Sequence, residues 1–248
     1  MRMMTRFSLA FLVYLTAPHV SAEPCRDLTF EGVSYTVCDV GITDDLRLFQ
    51  ARPDGTAFGS FAAVNDALAL TAGQLGFAMN AGMFHSDRRP VGLLIIDGKE
   101  LAPIVTSDGP GNFGLLPNGV FCIAQTGFAV VESRAFEAAP PGCRHATQSG
   151  PMLVIDGALH PKFLPTSDSL HIRNGVGVSA DGATASFVIS NDTVNFHSFA
   201  RLFRDVLGLP DALYLDGSIS RLYAPNLGRH DAGFPMGPMV GTVQPAGQ

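Results

Sequence analysis

The chain has 248 residues, 46% of them hydrophobic, which suffices for one large domain or two small ones. Its 16 Lys and Arg stand against 22 Asp and Glu, a formal net charge of −6, with no basic cluster. That balance argues against a nucleic-acid binder, which needs grouped cations to neutralise phosphates.

Met1–Ala22 carries Arg2 and Arg6, an apolar run from Phe7 to Ala17 and the small-residue ending Val20-Ser21-Ala22. This is the pattern of a secretory signal peptide cleaved before Glu23. The apolar run, about 11 residues, is shorter than the roughly 20 needed to span a bilayer, so no membrane insertion is expected. The residues around Cys25 lack the lipoprotein signature. The mature chain, 23–248, then holds 14 basic and 22 acidic residues, a net −8, and shows no linker that would divide it. Four cysteines in an exported, periplasmic or secreted chain suggest two disulfides. Of the three connectivities, Cys25–Cys38 with Cys122–Cys143 is favoured because each closes a short local loop. No close Cys pair has zinc-ligand spacing, and no metal or other cofactor is expected.

From Leu28 to Gln50 the pattern predicts strands broken at Glu31-Gly32 and Gly41, with Val33, Tyr35 and Val37 alternating as in a half-buried hairpin. Phe61, Val64 and Leu68 recur at helical spacing, predicting a helix over Ser60–Thr71 with Ser60 as N-cap. Short strands separated by tight turns follow at Val91–Ile96, Leu101–Val105, Phe113–Leu116, Val120–Ala124 and Phe128–Glu132. The strongest helix is Phe196–Leu207, stopped by Gly208 before Pro210. Ala212–Leu215 reads as a central strand covered on both faces. Pro225–Gln248 is rich in Gly and Pro and reads as a surface segment with a loose end. Together these predict an α+β fold, a single domain of largely antiparallel or mixed sheet with at least two packed helices.

Four segments share one build, an apolar run meeting glycine and small polar residues: Phe77–Phe84, Thr147–Val154, His171–Gly177 and Tyr214–Ser220. In this order they resemble the phosphodiester glycosidase family. The family's Asn-Gly-Gly-Phe-Phe is echoed by Asn80 to Phe84, its Gly-Pro-x-Leu-Val by Gly150 to Val154, its Arg-x-x-x-Gly by Arg173 to Gly177, and its Asp-Gly-Gly-Gly-Ser by Asp216 to Ser218. The resemblance covers about Phe77 to Pro225. The chain departs from the pattern at Ala81 and at Ser218-Ile219, where the family has glycine, so the last loop is bulkier and sugar specificity is affected before reaction type.

The resemblance implies an exported hydrolase that cleaves a sugar 1-phosphodiester, small or polymeric, at the anomeric C–O bond. In that chemistry Arg173 would hold the phosphate through a bidentate fork. Asp216 would stabilise an oxocarbenium-like transition state as nucleophile or base, the phosphate leaving readily without much acid help. His85 is a further catalytic candidate, as proton donor or phosphate ligand. Substrate-binding candidates are Asn80, Gly82, Gln148, Ser149, Gly150, His171, Asn174, Gly217 and Ser218. Each has a structural alternative: an Asx turn for Asp216, a surface ion pair for Arg173, turn geometry for the glycines. A metal-dependent phosphodiesterase and a non-catalytic module binding envelope polysaccharide are the competing functions.

Overall fold

The computed structural model describes residues 24–247, so the leader predicted over 1–22 lies outside the described residues. In chain order the elements begin with β1 (Cys25–Phe30), β2 (Val33–Gly41), β3 (Asp45–Phe49), α1 (Phe61–Ala69) and β4 (Gly73–Asn80). There follow β5 (Leu94–Ile96), β6 (Lys99–Ala102), β7 (Gly119–Ala124), β8 (Phe128–Glu132), α2 (Ser133–Ala138), β9 (Cys143–Ser149), β10 (Met152–Ile155) and β11 (Ala158–Leu159). The last part holds β12 (Asn174–Val178), β13 (Thr184–Ser190), α3 (Phe196–Arg201), β14 (Asp211–Asp216), β15 (Leu222–Ala224), β16 (Arg229–His230) and β17 (Met239–Pro245).

The strands form a seven-stranded sheet in the order β1-β2-β13-β12-β14-β10-β11 and two five-stranded sheets, β16-β15-β4-β17-β3 and β6-β5-β9-β7-β8. Sequential neighbours pair antiparallel throughout, and the fold is α+β in one domain. The inner faces of all three sheets share one core. Leu213, Leu215 and Phe187 of the first meet Phe77, Met79 and Val240 of the second and Phe121 of the third. The aromatic centre is tight, with Phe187 5.2 Å from Phe77 and 5.5 Å from Phe121 between ring centroids. Each such side chain contributes about 1.5–3 kcal/mol by leaving water.

Helices cover the outer faces. On the seven-stranded sheet, Phe199, Leu202 and Phe203 pack against Leu153, Ala212 and Tyr214. β14 is thus central and covered on both sides, as its unbroken apolar run predicts. Gly175 and Gly177 in β12 make this possible: a Cβ at Gly177 would lie 2.6 Å from Leu209 and 2.8 Å from Phe203. Their role is close approach of the helix to the sheet, and neither has the positive φ of a turn. α3 passes into a π turn, Leu202–Val206, and Gly208 ends the segment at φ 66. α1 starts where predicted, with Ser60 Oγ accepting from Ala63 N at 3.2 Å, and lays Phe61, Val64 and Leu68 on the second sheet.

Both predicted disulfides are present, Cys25–Cys38 joining directly opposed residues of β1 and β2 and Cys122–Cys143 joining β7 to the start of β9. Two expectations are corrected, and one element is added. Phe113–Leu116 is a run of turns, because Gly111, Gly114 and Pro117 interrupt any ladder. A short helix, α2, occupies Ser133–Ala138, with the Glu132 carboxylate accepting from Arg134 N and Ala135 N. Most consequentially, the stretch from Pro225 read as a surface segment is built into the second sheet as far as Pro245. It supplies β15's partner β16, and β17 lies between β3 and β4 with Met239 and Val240 buried.

Candidate active site

Four chain segments end at one rim of the fold. β14 finishes at Asp216, β4 at Asn80 and β9 at Ser149, while β12 begins at Asn174 directly after Arg173. Asp216 is the register partner of Asn174, which puts the carboxylate and the arginine on neighbouring strands. Side chains stitch the ends together. Asn80 Nδ2 donates to Asn174 Oδ1 at 3.2 Å, Asn174 Nδ2 donates to Asn80 O at 2.8 Å, and Arg221 N donates to Asn80 Oδ1 at 3.0 Å. Ser149 Oγ donates to Leu215 O at 2.8 Å, and Ser220 donates to Ile172 O at 3.0 Å and to Asp216 O at 2.9 Å. These buried amides and hydroxyls are satisfied internally, so they hold the rim rigid.

Arg173 is 0% exposed. Its Nε donates to Val194 O at 2.8 Å and its Nη2 to Ser169 O at 2.9 Å, while Phe196 lies under the guanidinium at 3.8 Å. Phe163 stacks on the far side of Phe196 at 5.0 Å and His160 on Phe163 at 4.7 Å, so the cation rests on an aromatic pile. Nη1 has no hydrogen-bond partner and no carboxylate pairs with the group among the described residues. Burial pulls its pKa down, and the Tyr214 hydroxyl opposes that. An arginine this buried ordinarily has a counter-charge, because an isolated buried ion is costly.

Asp216 is 6% exposed and closes an Asx turn, its Oδ1 accepting from Gly217 N at 2.6 Å and Ser218 N at 2.9 Å. Burial raises its pKa above the ordinary 3.8, against the pull of those backbone N–H groups. The structural alternative therefore describes one oxygen only; Oδ2 makes no hydrogen bond among the described residues. Gly217 is required by close approach: a Cβ there would lie 2.1 Å from the Tyr214 hydroxyl and 3.6 Å from Arg173 Nη1. The hydroxyl stands beside the guanidinium and Asn112, and burial pushes its pKa upward.

The other candidates divide. Gln148 is buried and fully engaged as a brace, its Oε1 accepting from Leu93 N and Val105 N and its Nε2 donating to Val105 O and Ser133 Oγ. Gly82 packs on the Gln148 carbonyl and the Thr147 hydroxyl of the same strand, and Gly150 against Asn118. His171 is exposed and pairs through its backbone with Val194. His85 is exposed in a turn closed onto Arg89, and no hydrogen bond links it to Arg173 or Asp216. Ser218 is exposed, whereas Ile219 folds into the α1 cluster with Phe84 and Met236. The Ile219 bulk is thus taken up by the cluster under α1. Tyr214 and Phe196 belong to the site without having been picked out for it. The available signal was a tyrosine inside a buried strand, whose hydroxyl must find a polar neighbour.

A family model described as phosphodiester glycosidase matches residues 74–234. The chain belongs to the phosphodiester glycosidase family. The "Uncharacterized protein YigE" of Escherichia coli (strain K12) is 34% identical over 206 residues, covering 82% of this chain and 79% of the relative. Among solved structures, the zebrafish N-acetylglucosamine-1-phosphodiester alpha-N-acetylglucosaminidase catalytic domain, auto-inhibited by its pro-peptide, superposes with a TM-score of 0.62 at 16% identity. The alignment covers 90% of this chain and 85% of that one. A hypothetical protein from Synechocystis gives a TM-score of 0.55 at 15% identity, over 88% of this chain and 61% of the other. At these identities the structural matches speak for the fold alone.

Proposed function

We propose that this phosphodiester glycosidase family member is an exported hydrolase, made with residues 1–22 as a leader and acting as one domain, 23–248. It splits a glycosyl phosphodiester at the anomeric C–O bond. The observation that carries this reading is the buried Arg173 guanidinium with a free Nη1 and no carboxylate partner among the described residues, beside the Gly217 turn that follows Asp216, a carboxyl whose pKa burial raises. The missing counter-charge is then the substrate phosphate, held by a charge-assisted bond in a site of low dielectric. The C1–O bond breaks with its electron pair going to the phosphate, water adds to C1, and Asp216 takes the proton of that water. Two disulfides fit folding in an oxidising compartment.

The test is purified mature protein against a panel of sugar 1-phosphodiesters, in heavy-oxygen water. Label on the released sugar is expected; label on the phosphate would mean P–O cleavage instead. Asp216→Asn keeps an oxygen for the Gly217 and Ser218 N–H groups, so it should abolish release with the melting point nearly unchanged. Undiminished turnover in that variant removes Asp216 from the reaction.

A further inference from the structure

Around the rim from Asp216, on the α1 side of the second sheet, lies a cleft of about 480 Å³ lined by Phe61, Asp66, Arg221, Tyr223, His230 and Gly233 among others. Arg221 leads into it. Its Nη1 donates to Phe234 O at 2.5 Å, and Gly233 packs so closely that a Cβ there would lie 2.4 Å from Nη2. Nε and Nη2 make no hydrogen bond among the described residues. The nearest carboxylate, Asp231, is engaged by Arg229 at 2.9 Å and by Leu222 N at 2.9 Å, and Arg221 forms no ion pair with it. This is a second guanidinium held in place by the fold with donors left over.

The cleft is continuous in sequence with the catalytic rim. Ser220, hydrogen-bonded to the carbonyl of Asp216, immediately precedes Arg221, whose own N–H is fixed by Asn80. Between the Asp216 carboxylate and Ser220-Arg221 the chain turns at Gly217–Ser218, where Ser218 is exposed. We propose that this cleft receives the alcohol side of the substrate and that Arg221 binds a second phosphate carried by that alcohol. The substrate class is then a glycosyl phosphodiester whose alcohol, which departs still esterified to the first phosphate, carries a second phosphate ester, as in a repeating polyol-phosphate chain. The proposal rests on the roles given above to Arg173 and Asp216. The exposed Asp66 at the cleft edge suits the hydroxyls of such a polyol, and Phe234, 76% exposed beside Arg221, offers an apolar face to its carbons.

Two sugar 1-phosphodiesters with the same sugar test it, one with glycerol as the alcohol and one with glycerol phosphate. The parent should prefer the second in kcat/KM by about tenfold, the scale of a charge-assisted hydrogen bond, and Arg221→Gln should bring that ratio near one. An unchanged ratio in the variant overturns the proposal. If Arg221→Gln does not fold, Arg221→Lys takes its place, with a lowered ratio expected and an unchanged one overturning. Should the parent cleave neither diester, the reading of Asp216 has failed, and calorimetry with glycerol phosphate alone decides this one separately. Binding weakened about tenfold in Arg221→Gln supports it; no binding to the parent overturns it.

Discussion

Gly217→Ala isolates the contact that ties the Asp216 turn to the rest of the site. The new methyl would lie 2.1 Å from the Tyr214 hydroxyl and 3.2 Å from Cζ. Tyr214 is 1% exposed and sits edge-on to Phe196 at 4.7 Å between ring centroids, so the ring has no room to withdraw. Overpacking of this kind costs about 1–3 kcal/mol. In a domain of this size each kcal/mol lowers Tm by roughly 2–4 °C. Tyr214→Phe removes the atom at 2.1 Å and leaves the next at 3.2 Å, at the cost of about 1 kcal/mol for the lost polar contacts. The double variant should therefore be more stable than the sum of the single changes predicts, with a coupling of about 1 kcal/mol or more. Urea unfolding of the four proteins measures it. Additivity within about 0.5 kcal/mol would refute the claim that the hydroxyl and Gly217 compete for one space.

Sugar 1-phosphate at about 100 times its Kd should stabilise the parent by about 2.7 kcal/mol and leave Arg173→Gln unshifted; an equal shift in both removes Arg173 from phosphate binding. Because burial holds the Asp216 carboxyl above 3.8, the acid limb of kcat/KM, where the base gains its proton, should fall at a higher pH than for an exposed aspartate. A raised folded-state pKa also means that this group favours folding below its unfolded value and loses that contribution as pH rises through the folded one. Asp216→Asn should thus compare best with the parent in Tm at neutral pH, and a pH-independent difference would contradict it. Reducing Cys122–Cys143, which spans 21 residues, should cost about 3 kcal/mol of unfolding free energy, read from urea curves with and without reductant.

Periodicity located α1, the helix beginning at Phe196 and the central β14, because each buries one stripe or two faces and writes that burial into its residues. It failed where punctuation and burial disagree. β17 follows a stretch with Gly233, Pro235, Gly237 and Pro238, and those residues mark the approach to a buried strand rather than a frayed end. The site divides the same way. Arg173 and Asp216 stand out in the sequence because charge at the end of an apolar run is rare, and both are buried at the rim. What the pattern cannot convey is which polar residue faces inward to another: Gln148, Asn80 and Asn174 look like ligand-binding amides, yet their donors and acceptors are engaged by backbone and by each other. Tyr214 escaped because its ring reads as core, and the importance of its hydroxyl arises only from Gly217, three residues past it and just beyond the strand.

The position of β17 also constrains when this protein can become itself. β3 and β4 have no ladder to each other until Met239–Pro245 slides in between them, registering with Arg47 on one side and Ala78 on the other through Gly241. Asn80, at the end of β4, pairs with Met239 in the same ladder. A chain without Met239–Pro245 in place therefore has an open second sheet and a rim that lacks the strand beside Asn80.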